Sequence, residues 1–463
     1  MSTTMTLSEV ETLAAKCLVN AGLLTQRLQS EEGATGPQAD KVTRDLRLSL
    51  FEAAQSLLQS VTPPEYALTQ QLSGSIMDLT AFRYLSRFSV AKAVPIHGSI
   101  TYEDLATTLK VDKSQLKRVL RYAMTKRIFF QTQSGEVAHT ETSLLLVKGG
   151  VSVLNSYSSE RGFPVASCFN EALDKWGHGS QEPNETAFNV FHETELPMFD
   201  YYEENPASGA PFHQVMQHFT KTPALSHEHI KTAFDWKSLS HTTVIDIGGS
   251  LGHASVAILE SNPTLSCIVQ DLPKPVAQAT NPTTSIVPEH MMKRISFQEH
   301  SFWDTQKVAA DVYFMRMIFH DWSDKYAVKI LQALLPAMRP GAKLLIMDYV
   351  TRPYGTLKSG DERRMRMRDM QMMIMHNALE RDEEEWKNLF AQTDRRLRLV
   401  DIHTPPGSAL SLIELVLDGE ADVKAEAVVL ESPVESEKVG IVVGEKIGKE
   451  VVVTVTSVAA MEA

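Results

Sequence analysis

The sequence predicts an α/β protein whose second half folds as a Rossmann-like domain and whose first half is mostly helical. From residue 242 onward, short apolar runs alternate with helical patterns, and a glycine turn at 248–252 joins the first apolar run to the helix after it. Alternating strands and helices are typical of a parallel sheet with crossover helices. A chain organised in this way binds its ligand at the carboxyl edge of the sheet.

The glycine turn is the most informative segment, and it reads Asp246-Ile247-Gly248-Gly249-Ser250-Leu251-Gly252. Glycines allow the backbone to approach a nucleotide-like ligand because no Cβ stands in the way. A G-x-G-x-x-G dinucleotide fingerprint would need glycine at position 247, where the chain has isoleucine. The next predicted strand, 265–269, leads to Asp271, whose carboxylate can accept hydrogen bonds from ribose hydroxyls. We therefore predict a nucleoside-containing ligand other than NAD.

Composition narrows the class of protein. A chain of 463 residues suggests two or three domains, and 43% hydrophobic with 22% charged residues is ordinary for a globular protein. The net charge of −12 argues against general binding to nucleic acid or anionic membranes. Cys17, Cys168 and Cys267 lie far apart and form no metal-binding pattern. With no visible signal peptide or membrane-length apolar run, we predict a cytoplasmic protein without a metal, membrane or nucleic-acid partner.

The first half contains a compact helical pattern. Helices are predicted within 6–62, interrupted by a loop at 30–36, and along Met77–Val94. A short helix from Thr101 to Leu109, a second helix ending at Lys126 and a hairpin around Ser134-Gly135 follow. This order outlines a winged helix at about 77–145.

The second helix of that module is basic, so DNA binding must be weighed against packing or dimerisation. Its basic residues are Lys113, Lys117, Arg118, Arg121, Lys126 and Arg127. A winged helix can place such a helix in the major groove. The acidic balance of the whole chain and the ligand-binding fold downstream favour a packing or dimerisation module.

Three regions follow from these patterns: a helical domain at 1–225, a ligand-binding domain at 226–417 and a tail at 418–463. Strands in the second region are predicted at 243–247, 265–269, 295–299, 311–315, 343–350, 397–403 and 410–417, with helices at 252–261, 323–338 and 383–393. The tail is rich in Val, Glu, Ala and Lys and has no aromatic residue. We expect it to be disordered, with a peripheral hairpin as the alternative.

Polar residues follow two strands of the predicted sheet. His320 comes after the fourth strand, Asp348 ends the next strand, and Glu380 follows a methionine-rich helix. A histidine flanked by acids at the carboxyl edge of a sheet is a candidate general base. Structural alternatives exist, because Asp321 or Ser323 could cap a helix and Glu380 could belong to a solvated acidic face.

These motifs together resemble those of plant and fungal S-adenosylmethionine-dependent O-methyltransferases of the caffeate and sterigmatocystin 8-O-methyltransferase type. The resemblance covers roughly residues 45–417 in order. It rests on Leu116-Lys117-Arg118-Val119-Leu120-Arg121, Ala138-His139-Thr140, Asp246-Ile247-Gly248-Gly249, Gln270-Asp271-Leu272-Pro273, His320-Asp321-Trp322-Ser323-Asp324 and Glu380-Arg381.

The resemblance implies a class I methyltransferase domain behind a winged-helix dimerisation domain, a homodimer, and S-adenosyl-L-methionine as cofactor. It implies cofactor contacts for Asp246, Gly248, Gly249, Gly252, Asp271, Ser301, Phe302 and Arg316. It implies that His320 is the base, that Asp348 and Glu380 position it, and that Met373 and Asn377 face the acceptor. Ser301 stands where relatives usually carry an acid near adenine, and Arg316 replaces a lysine common in the plant enzymes.

The function expected from this resemblance is methylation of a phenolic hydroxyl on a small aromatic, polyketide-like secondary metabolite. The alternative is a catalytically silent relative that acts as a binding or regulatory subunit, a possibility to which Ser301 contributes. A winged-helix DNA binder is a third hypothesis. An NAD-dependent oxidoreductase is disfavoured because residue 247 is isoleucine.

Overall fold

The structure is a computed structural model that describes residues 7–30 and 37–419. Most of the tail predicted at 418–463 therefore lies outside the described residues. No helix in the described part of the chain is long and apolar enough to cross a membrane.

The first half is helical, as predicted, apart from one small hairpin. Its helices are α1 (Leu7–Ser30), α2 (Pro37–Val61), α3 (Pro64–Thr69), α4 (Ser75–Arg87), α5 (Val90–Ala93), α6 (Tyr102–Leu109), α7 (Lys113–Met124), α8 (Glu141–Leu144), α9 (Gly150–Tyr157), α10 (Phe163–Ala166), α11 (Phe169–Trp176), α12 (Ala187–His192), α13 (Met198–Glu204), α14 (Pro206–Phe219) and α15 (Glu228–Ala233). The hairpin consists of β1 (Phe130–Gln131) and β2 (Val137–Ala138).

Helices α6 and α7 and the hairpin lie where the sequence predicts them. Each helix starts at a side-chain cap: Thr101 Oγ1 accepts from the Asp104 N–H, and Asp112 Oδ1 accepts from the Gln115 N–H. Ile100 forms an isolated antiparallel bridge with Val137 of the hairpin. Part of the basic surface of α7 is neutralised locally.

Two cations of this module are paired with acids of the same region. Lys113 forms an ion pair with Glu103, and Lys126 lies 3.1 Å from Asp78.

The single helix predicted along Met77–Val94 is wrong, because α4 and α5 are separate. Ser89 has a φ of +52°, a left-handed conformation that no α-helix can continue through. The break redirects the chain so that α5 buries Val90 and Ala91 against the core of the module.

The second half forms one seven-stranded sheet, which confirms the predicted alternation. Its strands are β3 (Thr243–Ile247), β4 (Ser266–Asp271), β5 (Ile295–Glu299), β6 (Val312–Arg316), β7 (Lys343–Asp348), β8 (Leu397–His403) and β9 (Ser411–Leu417). The strand order is β5-β4-β3-β6-β7-β9-β8. The first five strands in this order run parallel to one another, while β9 is antiparallel to both β7 and β8.

Helices cover both faces of this sheet. They include α16 (His253–Ser261), α17 (Pro273–Thr280), α18 (Asp324–Leu334) and α20 (Glu383–Thr393). Another helix, α19 (Ser359–His376), contacts α10 and α12 of the first half. Side chains of a strand alternate between the faces, so Val244 joins one core while Ile245 and Ile247 join the other. Burial on both faces explains why the parallel strands read as nearly continuous apolar runs.

Tyr313 of β6 generates a prediction about stability. Its buried hydroxyl lies 2.9 Å from the Val308 carbonyl and 3.0 Å from the Ala337 carbonyl, and it accepts from the Ala310 N–H at 2.9 Å. Tyr313→Phe leaves these groups without their partner, so we expect the free energy of unfolding to fall by about 1–3 kcal/mol in urea titrations. Tyr354→Phe, at a residue 89% exposed, is the control and should leave stability unchanged.

Candidate active site

The glycine turn leaves β3 at the carboxyl edge of the sheet. Gly248 has a φ of +71° and its N–H donates to the Gln270 carbonyl at 2.8 Å. A Cβ on Gly248 would lie 2.7 Å from the Ile318 side chain, and a Cβ on Gly249 would lie 2.6 Å from the Asp246 carboxyl group. Both positions therefore require glycine for steric reasons. Gly252, with a φ of +85°, leads into α16.

Asp271 ties the end of β4 to this turn. One carboxylate oxygen accepts from the Ser250 N–H and the other from the Leu272 N–H, each at 2.7 Å. Burial raises the pKa of Asp271, and the two N–H donors partly offset that effect. Each carboxylate oxygen has two lone pairs, so the side chain retains capacity to accept from a vicinal diol.

Asp246 and Arg316 lie behind the turn on adjacent strands. Asp246 is almost fully buried and accepts from Ser255 Oγ at 2.6 Å. Burial raises the pKa of Asp246 to about 6, against the effect of the Ser255 hydrogen bond. Arg316 donates from Nη2 to the Leu225 carbonyl at 2.8 Å, while its buried Nε has no hydrogen-bond partner among the described residues. The guanidinium therefore has donor capacity left for a ligand.

Ser301 and Phe302 follow β5 at the same edge. The Ser301 hydroxyl accepts from the Trp303 N–H at 3.3 Å, a local turn contact. Phe302 packs edge-on against Trp303 at 5.0 Å between ring centroids, and Trp303 packs against Trp322 at 4.6 Å. An aromatic cluster thus links the end of β5 to the segment after β6.

His320 lies on a short 3₁₀ turn, Phe319–Asp321, directly after β6. Its Nδ1 is 3.4 Å from Glu380 Oε1, and its Nε2 is 3.7 Å from Asp321 Oδ1. Burial alone would lower the pKa of His320, but the neighbouring carboxylates of Asp321, Asp348 and Glu380 outweigh it and raise the pKa to about 10.

Asp348 holds this turn through the backbone and not through the imidazole ring. Its Oδ2 accepts from the N–H groups of Phe319 at 3.0 Å and His320 at 3.3 Å. Its Oδ1 accepts from the N–H of Tyr349 at 2.9 Å. A fully buried carboxylate is thereby satisfied by three backbone donors.

Arg381 holds the same turn through its carbonyl groups. The buried guanidinium donates to the Phe319 carbonyl at 2.9 Å and to the Trp322 carbonyl at 2.8 Å. It also forms an ion pair with Asp324 at 2.8 Å, at the start of α18. The backbone on both sides of His320 is therefore fixed by two buried charged side chains, Asp348 and Arg381. We call Phe319–Trp322 with these two residues the clamped turn.

Glu380 is 3% exposed, so its interpretation as part of a solvated acidic face is wrong. Glu383 and Glu384, at the start of α20, are among the residues of this acidic run that are exposed to solvent. Among the described residues, Glu380 Oε2 has no hydrogen-bond partner. Burial raises the pKa of Glu380, and the contact with His320 opposes that rise.

The two residues predicted to face an acceptor differ in their surroundings. Met373 of α19 is 38% exposed. Asn377 ends α19 in the left-handed conformation, and its side-chain amide donates to the carbonyls of Glu182 at 2.9 Å and Glu185 at 3.0 Å. The Asn377 amide thus has a structural task that the sequence does not reveal, and acceptor contact by either residue stays a prediction.

Sequence reasoning gave no role in the site to three of its residues: Asp321, Arg381 and His376. His376 is buried, stacks on Phe199 at 5.3 Å, and has its Nε2 3.8 Å from Asp321 Oδ1. Burial, followed by the charge of His320, lowers the pKa of His376 to about 3. Each of the three adjoins a predicted residue in the sequence, at His320, Glu380 and Asn377 respectively for Asp321, Arg381 and His376.

The clamped turn predicts a large cost for a conservative change. In Arg381→Lys a single ammonium replaces a planar fork, so buried carbonyl groups lose their partners. We expect the free energy of unfolding in urea to fall by about 1–3 kcal/mol. Arg364→Lys, whose side chain is 65% exposed beside Asp361, is the matched control and should change stability little. Equal stability of the two variants would contradict the role given to Arg381.

Comparison with known proteins adds independent support. Residues 176–394 match the model of the O-methyltransferase domain family. The chain is 38% identical over 394 residues to the O-methyltransferase VdtC of Byssochlamys spectabilis, covering 84% of this chain and 90% of VdtC. It is 34% identical over 389 residues to the O-methyltransferase bik3 of Gibberella fujikuroi, covering 82% and 84% of the two chains.

Solved structures share the fold at lower identity. OxaC in complex with SAH and oxaline superposes with a TM-score of 0.67 at 21% identity, covering 88% of this chain and 100% of OxaC. The mitomycin 7-O-methyltransferase MmcR gives a TM-score of 0.62 at 21% identity, covering 76% and 97%. A structure described as a pericyclic reaction enzyme gives 0.65 at 23% identity, covering 88% and 100%. The class I methyltransferase fold therefore hosts more than one chemistry.

The reaction class follows from the relatives above 30% identity together with the site. The close backbone at Gly248 and Gly249 and the free acceptor capacity of Asp271 suit a nucleoside cofactor with a ribose diol. The cofactor is S-adenosylmethionine. The chain belongs to the family of S-adenosylmethionine-dependent O-methyltransferases.

Proposed function

We propose that this O-methyltransferase of secondary metabolism methylates a phenolic hydroxyl of a small aromatic, polyketide-like molecule, with His320 as general base. The observation that carries the proposal is the orientation of the imidazole. Nδ1 faces the buried carboxylate of Glu380 at 3.4 Å, which leaves Nε2 as the nitrogen that can receive a proton from an acceptor. Asp348 and Arg381 are positioning residues, because both hold the backbone beside His320.

Methyl transfer to a phenol requires that the methyl donor and the acceptor oxygen are aligned and that the acceptor hydroxyl is deprotonated. The sulfonium of bound S-adenosylmethionine supplies an electrophilic methyl group. Holding two reactants in line can contribute about 7–11 kcal/mol to rate enhancement. A phenol has a pKa near ~10, and a positioned general base adds about 10²–10⁴-fold. The carboxylates around His320 raise its pKa to about 10, so the imidazole must lose a proton before it can act as this base.

For the cofactor, we propose that the backbone at Gly248, Gly249 and Gly252 approaches its adenosine part and that Asp271 accepts from the ribose hydroxyls. Ser301 and Phe302 would border the adenine. Asp246 and Arg316 would lie toward the methionine end, where the free Nε of Arg316 can donate to a carboxylate.

For the acceptor, we propose contacts with Met373 and with the ring of Phe199, which stacks on His376. An exposed thioether and aromatic faces suit a flat ring because such contacts are polarizable and adaptable. Asn377 would contribute its side-chain oxygen, because its amide hydrogens are donated to the main chain.

The proposal predicts that His320→Ala lowers methyl transfer by about 10²–10⁴-fold while S-adenosylmethionine still binds. The assay is incubation with labelled S-adenosylmethionine and a panel of phenolic metabolites, followed by mass spectrometry. His403→Ala, at a partly exposed histidine outside the site, is the control and should keep full turnover.

Two outcomes would count against this proposal. Undiminished turnover by His320→Ala would remove His320 as the base. If the wild-type protein showed no heat of binding with S-adenosylmethionine in calorimetry, the result would favour a catalytically silent binding or regulatory subunit. That alternative was raised by Ser301, which replaces the acid usual in relatives. The buried, oriented imidazole of His320 favours the active enzyme.

We also propose a homodimer formed through the N-terminal region. A groove of about 450 Å³ between α4 and α7 is lined partly by Met77, Tyr84 and Val119. Large apolar residues are strongly exposed on the helices before it, among them Leu18, Val19, Phe51, Leu58 and Leu72. Apolar patches of this kind mark protein interfaces.

The dimer proposal is tested by light scattering. The double change Phe51→Glu and Leu58→Glu should weaken self-association at least about tenfold, because it buries charge at an apolar interface. Gln59→Glu adds a charge on the same helix without removing an apolar side chain. This control should leave the molecular mass of the dimer in solution unchanged. A monomeric wild-type protein at micromolar concentration would contradict the proposal.

A further inference from the structure

Three carboxylates surround the imidazole of His320. Glu380 lies at Nδ1, Asp321 lies at Nε2, and Asp348 binds the backbone N–H of His320 itself. The side chains of Glu380 and His320 are only 1% and 11% exposed. The cluster is thus a dense patch of negative charge that water reaches poorly.

Charge balance in this cluster requires a cation. A buried carboxylate is costly unless a positive charge or several donors compensate it. Asp348 has three backbone donors, but Glu380 has one side-chain contact, to His320 Nδ1, and a second oxygen without a hydrogen-bond partner in the described residues. The surrounding carboxylates favour the doubly protonated form of His320, whose imidazolium charge compensates them.

An imidazolium, however, cannot accept a proton from an acceptor hydroxyl. His320 in its doubly protonated form is therefore unable to act as the general base. Some event before the chemical step must remove the Nε2 proton. The retained proton belongs on Nδ1, because the Glu380 carboxylate accepts from that nitrogen.

The glycine turn lies directly against the segment that carries His320. Strands β3 and β6 are hydrogen-bonded neighbours, and a Cβ on Gly248 would lie 2.7 Å from the side chain of Ile318, two residues before His320. Transfer of a methyl group requires donor and acceptor oxygen in line, and that oxygen must also reach His320 Nε2. Under the proposed function, a bound sulfonium would therefore lie close to the imidazole.

We propose that binding of S-adenosylmethionine itself converts His320 into a base, by replacing the imidazolium as the cation of the carboxylate cluster. His320 gives up its Nε2 proton to solvent and keeps the Nδ1 proton, which it donates to Glu380 in a hydrogen bond. The free lone pair of Nε2 then faces the acceptor. One positive charge enters the site and one proton leaves it. The inference rests on the proposed function, in which His320 receives the acceptor's proton.

The other groups around His320 are compatible with this exchange. His376 is held neutral by burial, and burial raises the pKa of Tyr349 to about 12, so neither supplies a charge near neutral pH. Arg381 is committed to Asp324 and two carbonyls. Arg368 lies over the Tyr349 ring at 3.7 Å, and its charge lowers the pKa of Glu380, so it offsets only part of the negative charge beside His320. The groups facing the imidazole are Asp321, Asp348, Tyr349, His376 and Glu380.

The test is calorimetric titration of the full-length enzyme without acceptor, at pH 8.5 in two buffers that differ in ionisation enthalpy. A like charge near the imidazole shifts its protonation equilibrium roughly ten- to hundredfold. We expect S-adenosylmethionine to release roughly half a proton per site. S-adenosylhomocysteine, a neutral thioether of nearly the same shape, should release far less. Affinity for S-adenosylmethionine alone should rise with pH, by up to about tenfold per pH unit.

Two variants assign the proton. His320→Gln should bind S-adenosylmethionine without releasing a proton. Asp321→Asn should release a smaller fraction of a proton, because His320 loses a carboxylate that favours its charged form. Equal proton release with the two ligands, or undiminished release by His320→Gln, would overturn the inference. The comparison of ligands on the wild-type enzyme needs no variant to fold. Methyl transfer without proton release would leave the proposed function standing and remove only this inference.

Discussion

The backbone of the clamped turn is the constraint on which the rest of the site depends. Asp348 takes the N–H groups of Phe319 and His320, and Arg381 takes the carbonyls of Phe319 and Trp322. Both side chains are buried, so each hydrogen bond is made away from competing water. A loop after a strand is normally the mobile part of an α/β domain, yet here buried side chains hold its N–H and carbonyl groups.

The sheet determines which residues can meet. Parallel neighbours β4, β3, β6 and β7 end at one edge. Asp271 and Asp348 are the last residues of β4 and β7, and the glycine turn and His320 follow β3 and β6. Gly248 contacts the His320 segment only because it lacks a Cβ. The ribose-binding candidate and the proposed base thus lie on strands that are separated by β3 alone.

The sequence predicts the elements of this edge well because periodicity and glycine spacing are local properties. Strand β5 and helix α20 lie where they are predicted, at 295–299 and 383–393. Failures occur where long-range contacts decide. The break at Ser89 follows from packing of α5, the burial of Glu380 follows from its contact with His320, and His376 enters the site only through Phe199 and Asp321. A local acidic run or a helix end carries no information about such partners.

The amide of Asn377 joins two distant parts of the chain. It fixes the carbonyls of Glu182 and Glu185, in the connection between α11 and α12, to the end of α19, and the same connection receives the Ser323 hydroxyl at the Gln181 carbonyl. Glu380 follows three residues after Asn377. A displacement of the N-terminal helices at this point would pull on the carboxylate that orients His320. The position of the first half's helices and the geometry around the proposed base are therefore connected through one side-chain amide.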